Sequence, residues 1–187
     1  LKGLKMRIPG LAGDVLRKAG ATPVTITGGE IFSALQSGAI DASEWVGPYN
    51  DLAFGFHQAA EYYYSTIWHE PGTALEFLIN EKAFNDLPKD LQKIVEVAAR
   101  AVNEDTLDEY NARHNVALKT LVEKHGVKLR TLPDPVLAEL KKVTDEVIAE
   151  QVVNNAGFAK VWASYSAFKN SIREYNDITL KAYFENR

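Results

Sequence analysis

Residues 4–45 decide the fold, and they have the sequence LKMRIPGLAGDVLRKAGATPVTITGGEIFSALQSGAIDASEW. Two segments with helical spacing, Ala12–Ala19 and Glu30–Ser37, are each followed by a glycine that suits a helix end. Short apolar and β-branched runs around them predict strands at Lys5–Pro9, Val24–Ile26 and Ile40–Trp45. The strand–helix–strand–helix–strand order predicts a parallel α/β layer.

Ligands of parallel α/β layers bind beyond the carboxyl ends of the strands. Arg7 lies near the end of the first predicted strand, and Glu44 and Trp45 lie near the end of the third. Arg7 is either a solvated strand-end arginine or a clamp for a carboxylate, which the planar guanidinium group binds through two hydrogen bonds. Glu44 is either a surface residue beside a core tryptophan or part of a metal or hydrogen-bonding site.

The loop Trp68–Gly72, with the sequence WHEPG, concentrates side chains of functional type. Glu44 and Glu70 together could hold a hard cation through their oxygens. An alternative is a metal-dependent enzyme that acts on a small carboxylate through Glu44, His69 and Glu70, but no motif places a nucleophile or an activated water near them. Gly28-Gly29 lacks the spacing of a phosphate loop, so we expect a turn there.

The rest of the chain is predicted to be mostly helical. From Lys89 no Gly or Pro occurs until Gly126, and one helix of that length would extend about 54 Å. Such a helix needs a kink or additional protein to lie against. The other predicted elements are an aromatic helix or pair of turns at Asp51–Tyr64, strands at Ala74–Asn80 and Val127–Leu132, a helical turn at Glu81–Phe84, and helices at Asp134–Val153 and after Gly157.

Composition excludes several classes of function. The 187 residues include 21 basic and 25 acidic side chains, a net charge of −4, so no overall positive field would attract nucleic acid. No apolar run reaches the roughly 18 residues of a membrane helix. The chain has no cysteine, which excludes disulfides, zinc–thiolate sites and thiol catalysis. His57, His114 and His125 lack metal-ligand spacing, and we expect them at surface or cap positions.

Six motifs follow one another within residues 1–72: Leu4–Gly10, Asp14–Val24, Gly28–Ile31, Ala34–Ala42, Glu44–Asp51 and Trp68–Gly72. With these motifs the chain resembles the solute-binding proteins of TRAP transporters (tripartite ATP-independent periplasmic transporters). The resemblance is greatest to the branch that binds 2-oxo and 2-hydroxy monocarboxylates such as pyruvate or lactate. Beyond residue 80 the resemblance is one of layout.

The resemblance implies a type II periplasmic-binding-protein-like α/β fold, in which two lobes joined by crossing strands and a long helix close on the ligand. It implies that Arg7 pairs with the substrate carboxylate. Glu44, Trp45 (through its backbone carbonyl) and Glu70 would surround a sodium or calcium ion that bridges to the substrate. Glu44 and Trp45 would also contribute to the substrate site. The protein would be a receptor, with no catalytic residues or organic cofactor, that delivers its ligand to a TRAP membrane permease.

The resemblance covers the C-terminal part of a longer protein, so the N-terminal lobe is expected to be largely missing. We predict an α/β ligand-binding lobe at 1–72 and, at 73–187, a back-crossing strand, a long connecting helix and C-terminal helices. We expect a signal peptide upstream of Leu1 and a periplasmic location. The aromatic last helix is expected to be core or a homodimer interface. Ser65–Ile67 departs from the Pro-Gly type of turn that relatives have before Trp68.

Overall fold

The computed structural model describes residues 1–65, 68–72 and 75–187. Its first sheet has three parallel strands in the order β2-β1-β3, which confirms the predicted parallel layer. The strands are β1 (Lys5–Arg7), β2 (Thr22–Val24) and β3 (Ala42–Ser43). β2 begins two residues before the predicted strand, because the backbone amide of Thr22 bonds to the carbonyl of Leu4 at 2.8 Å and sets the register there.

The α-helices of the described residues follow the predicted order. The second helix begins with a capping box, in which Thr27 and Glu30 satisfy each other's backbone amides. Gly28 and Gly29 are therefore the first residues of the helix, which begins two residues before the predicted start at Glu30, and no separate turn precedes it at these glycines. The helices are α1 (Gly10–Lys18), α2 (Gly28–Ser37), α3 (Pro48–Ala53), α4 (Glu81–Asn85), α5 (Lys89–Glu123), α6 (Asp134–Asn154), α7 (Ala156–Asn176) and α8 (Ala182–Glu185).

The hydrophobic core joins the first sheet to helices α1 and α6. Helix α6 lies against α1, and Lys18 of α1 forms an ion pair at 3.1 Å with Glu146 of α6 at the edge of this contact. Residues of both predicted domains, 1–72 and 73–187, thus share one core. The boundary between these domains at residue 72 stays a prediction. The buried core residues are Ile8, Val15, Leu16, Ala21, Leu140, Val143 and Val147.

The prediction of an aromatic helix or pair of turns at Asp51–Tyr64 holds as a pair of turns as far as Gln58, and it is wrong at Tyr62–Tyr64. Gly55 has a φ of +74° and ends the helical stretch, which is followed by a 3-10 turn at Phe56–Gln58. Tyr62–Tyr64 forms strand β4, which pairs in parallel with β5 (Lys128–Arg130). Aromatic residues favour strands when a partner strand is available. Here the partner lies far away in the sequence, so local spacing did not indicate it.

The predicted strand at Ala74–Asn80 is also wrong for the residues that the structure describes, which begin at Leu75. Residues 75–80 have no regular secondary structure. Leu75, Phe77 and Leu78 are exposed, with 84% of Leu78 accessible to solvent. A strand requires a hydrogen-bonding partner, and no described strand pairs with this segment.

Helix α5 confirms the prediction of one very long helix. It has 35 residues and is buried only in places. Its C-terminal third packs on α3 and buries Ala117 and Leu121, whereas Ile94 and Val102 are exposed. None of the described helices is long and apolar enough to cross a lipid bilayer.

Candidate functional site

Arg7 ends β1 and is nearly buried, with 8% of the residue exposed. Its Nε donates to the carbonyl of Ile26 at 3.3 Å, and its Nη1 forms an ion pair with the Glu44 carboxylate. The guanidinium carbon lies 5.1 Å from the ring centre of Trp45. The sheet therefore brings together Arg7, Glu44 and Trp45, as the strand order predicted, and holds the arginine in a fixed position rather than in solvent.

Glu44 directly follows β3, and its backbone amide donates to the carbonyl of Arg7 at 3.2 Å. Burial raises the pKa of its carboxyl group; the Arg7 guanidinium opposes that shift, and the nearby Glu70 carboxylate adds to it. A carboxylate whose pKa is raised by burial and by a second carboxylate is stabilised in its charged form when a cation lies beside it. The electrostatics of Glu44 thus fit a site for a positive ion.

Trp45 forms an apolar wall beside these charges. Its ring lies 5.6 Å from that of Phe54 and against the backbone of Gly28, where a Cβ would come within 2.8 Å of the indole Cζ2. Its indole Nε1 is buried and has no hydrogen-bond partner among the described residues. The backbone carbonyl of Trp45 stays a predicted cation ligand.

The loop after β4 brings two further side chains to this edge. One ligand atom each of Glu44, His69 and Glu70 lie within 4.8 Å of one another. Burial lowers the pKa of His69, and Glu70 opposes the shift. The structure therefore groups Glu44 with Glu70, as predicted for a hard cation, and adds His69, which belonged to the enzyme alternative. The sequence departs at Ser65–Ile67 from the Pro-Gly type of turn expected before Trp68. Residues 66 and 67 of this stretch lie outside the described residues.

The donor atoms of this cluster allow a test of which ion fits. Sodium and calcium bind oxygen ligands, which the carboxylates of Glu44 and Glu70 supply. An imidazole nitrogen is a better ligand for zinc, copper or nickel. The Nδ1 atom of His69 is buried without a hydrogen-bond partner in the described part of the chain. The two carboxylates fit a hard cation, and Nδ1 of His69, unpartnered among the described residues, is the donor atom of this cluster that fits a softer metal better.

Two polar contacts of residues close to this sheet edge were not predicted from the sequence. Tyr63 donates a hydrogen bond to the Asp51 carboxylate at 2.6 Å, and Asp51 is buried. His114, expected at a surface or cap position, accepts a hydrogen bond from the backbone amide of Tyr49 at 3.2 Å, and so lies at the start of α3. Both contacts join residues distant in sequence or in different elements, so spacing carried no signal for them.

Residues 1–155 match the model of a protein family described as bacterial extracellular solute-binding protein, family 7 (DctP). The match extends over most of the chain, so the chain belongs to this family. The fold is that of TRAP periplasmic solute-binding proteins, and the family is one of binding proteins and not of enzymes. The enzyme alternative through Glu44, His69 and Glu70 therefore has no support from the family.

One curated relative is the monocarboxylate 2-oxoacid-binding periplasmic protein of Nostoc sp. (strain PCC 7120), which is 39% identical over 183 residues. The match covers 98% of this chain and 50% of that protein. The chain thus spans about half the length of the curated relative it matches.

Two solved structures of TRAP periplasmic solute-binding proteins have the same fold over the whole of this chain. The protein from Pseudoalteromonas atlantica T6c, with bound sodium and pyruvate, is 44% identical with a TM-score of 0.93, and the chain covers 57% of it. The protein from Bordetella bronchiseptica RB50, described as a mixed occupancy dimer with calcium and picolinate, is 33% identical with a TM-score of 0.93, and the chain covers 55% of it. These neighbours hold sodium or calcium with a small carboxylate, and neither description names an organic cofactor.

Proposed function

We propose that this chain is part of a TRAP transporter receptor that captures a small 2-oxo or 2-hydroxy monocarboxylate such as pyruvate or lactate, together with a bound cation. The observation that carries the proposal is the placement of one arginine and two carboxylates at the same sheet edge. Arg7 is fixed by the carbonyl of Ile26 and by Glu44, and a ligand atom of Glu44 lies within 4.8 Å of one of Glu70.

Arg7 is the residue that recognises the carboxylate of the ligand. A planar guanidinium group binds a carboxylate through two parallel hydrogen bonds. The contacts within the chain use Nε and Nη1, so a ligand would meet the guanidinium group from the Nη2 side. Because Arg7 is nearly buried, its charge is screened less by solvent than that of a surface arginine.

Glu44 and Glu70 hold the cation, and the backbone carbonyl of Trp45 completes the protein ligands. The cation would bridge the carboxylates of the protein and an oxygen of the ligand, which favours acids that carry a 2-oxo or 2-hydroxy group beside the carboxylate. Sodium and calcium both accept such oxygen ligands. The relatives with sodium and with calcium support either ion.

The receptor would act in the periplasm and deliver its ligand to the membrane subunits of a TRAP transporter. We further propose that it forms a homodimer through its C-terminal helices. The apolar side chains of α7 support this proposal: Val161, Tyr165, Phe168 and Tyr175 are exposed. One relative is described as a dimer.

Calorimetry with the gene product that contains this chain tests the proposed site. We expect pyruvate to bind in the presence of calcium or sodium. Arg7→Lys should weaken pyruvate binding about 10- to 100-fold, the loss of one charge-assisted hydrogen bond and of the planar geometry. Glu70→Gln should weaken binding of the cation and, with it, of the acid.

Arg17→Lys is the matched control, because Arg17 is exposed and pairs with Asp14 on α1, away from the sheet edge. It should leave both affinities unchanged. If Arg7→Lys binds pyruvate as tightly as the wild type does, Arg7 is not the clamp. If pyruvate binding does not depend on any cation in the wild type, the cation site is not part of ligand recognition.

A further inference from the structure

The first turn of α3 begins only three residues after Trp45 and is capped from another element. Gly47 occupies the N-cap position and, as a glycine, has no side chain that could accept a hydrogen bond. The backbone amide of Tyr49 instead donates to Nδ1 of His114, which lies on α5, 65 residues further along the chain. An acceptor for a free amide at this position normally comes from the side chain of the N-cap residue. His114 thus supplies the missing cap.

The imidazole ring of His114 also fixes the backbone of Gly47. A Cβ on Gly47 would lie 2.7 Å from Cε1 of His114, and the φ of Gly47 is +150°. The ring therefore lies directly on the glycine, at a distance that other residues do not allow. Val46 and Gly47 connect Trp45 to Pro48, so the ring of His114 restrains the turn that follows Trp45.

Neighbouring side chains keep α5 in register with this turn. Asn50 donates to the hydroxyl of Tyr110 at 3.4 Å. The guanidinium carbon of Arg113 lies 5.4 Å from the ring centre of Tyr49. Tyr110 also meets Tyr49 edge-on, with ring centres 6.0 Å apart. Tyr110, Arg113 and His114 therefore lie within about one turn of α5 and contact the same segment, Tyr49–Asn50. In these contacts, His114 is the residue that bonds to the backbone of the segment.

We infer that His114 is a positioning residue for the binding site: its neutral ring, with the proton on Nε2, caps α3 and fixes the turn Val46–Pro48, and so holds Trp45 beside Glu44. The role of Trp45 in this inference rests on the proposed function. The hydrogen bond from Tyr49 requires a lone pair on Nδ1, which sets the tautomer. Burial lowers the pKa of His114, which agrees with a neutral ring.

Two substitutions of nearly equal shape separate the hydrogen bond from the packing. The amide oxygen of His114→Asn can occupy the place of Nδ1 and accept from Tyr49, whereas His114→Leu has no acceptor. In His114→Leu we expect amide exchange at Tyr49 to be at least 10-fold faster, the indole N–H resonance of Trp45 to shift, and affinity for pyruvate and calcium to fall about 3- to 30-fold, the range of a lost N-cap. His114→Asn should stay within about 3-fold of the wild type.

His125→Leu is the control, since it makes the same change just beyond the end of α5, where, among the described residues, the ring contacts His57 and not the turn before α3. The inference is wrong if the Tyr49 amide of His114→Leu exchanges at the wild-type rate and the indole N–H resonance of Trp45 stays at its wild-type position. If the wild type binds neither pyruvate nor cation, the proposed function fails, while exchange and resonance still decide the role of His114. Should His114→Leu not fold, His114→Gln replaces it, because its longer chain carries the amide past the position of Nδ1.

Discussion

Asp51 has a buried carboxyl group close to Glu44, at the sheet edge where Arg7 ends β1. Burial raises the pKa of its carboxyl group to about 6, although Tyr63 and the backbone amide of Gly47 favour the charged form. The hydroxyl of Tyr63 donates to one carboxylate oxygen, and the other is buried without a partner among the described residues. The ionised form of Asp51 is therefore under-solvated in the folded chain.

A group whose pKa is higher in the folded state binds its proton more tightly there. We expect the free energy of unfolding to fall as the pH rises from about 4 to about 6, by at most about 3 kcal/mol for this shift. Asp51→Asn removes the titrating group and keeps an acceptor for Tyr63. The variant should be more stable than the wild type at pH 7 and lose this part of the pH dependence, as measured by urea unfolding at a series of pH values.

Asp145→Asn is the surface control for this measurement, because Asp145 is exposed and pairs only with Lys141 along α6 among the contacts that the structure describes. It should change stability by less than about 0.5 kcal/mol. If Asp51→Asn follows the same stability–pH curve as the wild type, the buried carboxyl group does not titrate in this range.

At the scale of elements, the indole ring of Trp45 packs against the first turn of α2 and restricts which residues fit there. Gly28 and Gly29 are adjacent residues in the first turn of this helix. The Trp45 indole lies against Gly28, where a Cβ would have no room, whereas nothing lies within 4 Å of a Cβ on Gly29. The two glycines therefore allow the same substitution to be compared with and without a steric clash.

Gly28→Ala should displace the Trp45 ring and destabilise the chain by about 1–3 kcal/mol, the usual cost of overpacking. Gly29→Ala should be neutral or stabilise by up to about 1 kcal/mol, since alanine favours the helix. Thermal unfolding and tryptophan fluorescence compare the two variants. Equal stability of both would show that the indole does not need the space at Gly28.

The helices and the sequence-adjacent strands of this chain could be predicted because their patterns are local. Helical spacing and terminal glycines indicated α1 and α2, and the strand ends indicated Arg7 and Glu44. Two segments could not be predicted, because a distant partner strand decides whether a segment becomes a strand. Tyr62–Tyr64 has such a partner in β5, whereas no described strand pairs with residues 75–80. His114 could not be predicted for the same reason: its partner, Tyr49, lies 65 residues away.

At the scale of the whole molecule, α7 presents an apolar stripe that the rest of the described chain leaves uncovered. Val161, Tyr165, Phe168 and Tyr175 lie on one face, at spacings of four, three and seven residues that are typical of a helix–helix seam. Phe168 is 63% exposed. A contiguous stripe of this kind is typical of an interface between proteins, and the proposed occupant is the same stripe of a second copy.

Phe168→Glu should weaken self-association at least 10-fold because it introduces a charge into the centre of the stripe. Sedimentation velocity over a range of concentrations measures this change. Asn170→Glu places the same charge on the opposite side of α7 and should leave the association unchanged. A wild type that stays monomeric at all concentrations would exclude the homodimer.

Helix α5 is attached to α3 near its C-terminal end and is largely exposed toward its start. From Ala117 back to Lys89 it extends about 40 Å, at 1.5 Å per residue. It can therefore act as a lever: a tilt of about 5° at the contact with α3 would move its far end by about 4 Å. A change of less than an ångström where His114 meets Tyr49 would therefore become a displacement of several ångströms at the opposite end of the helix.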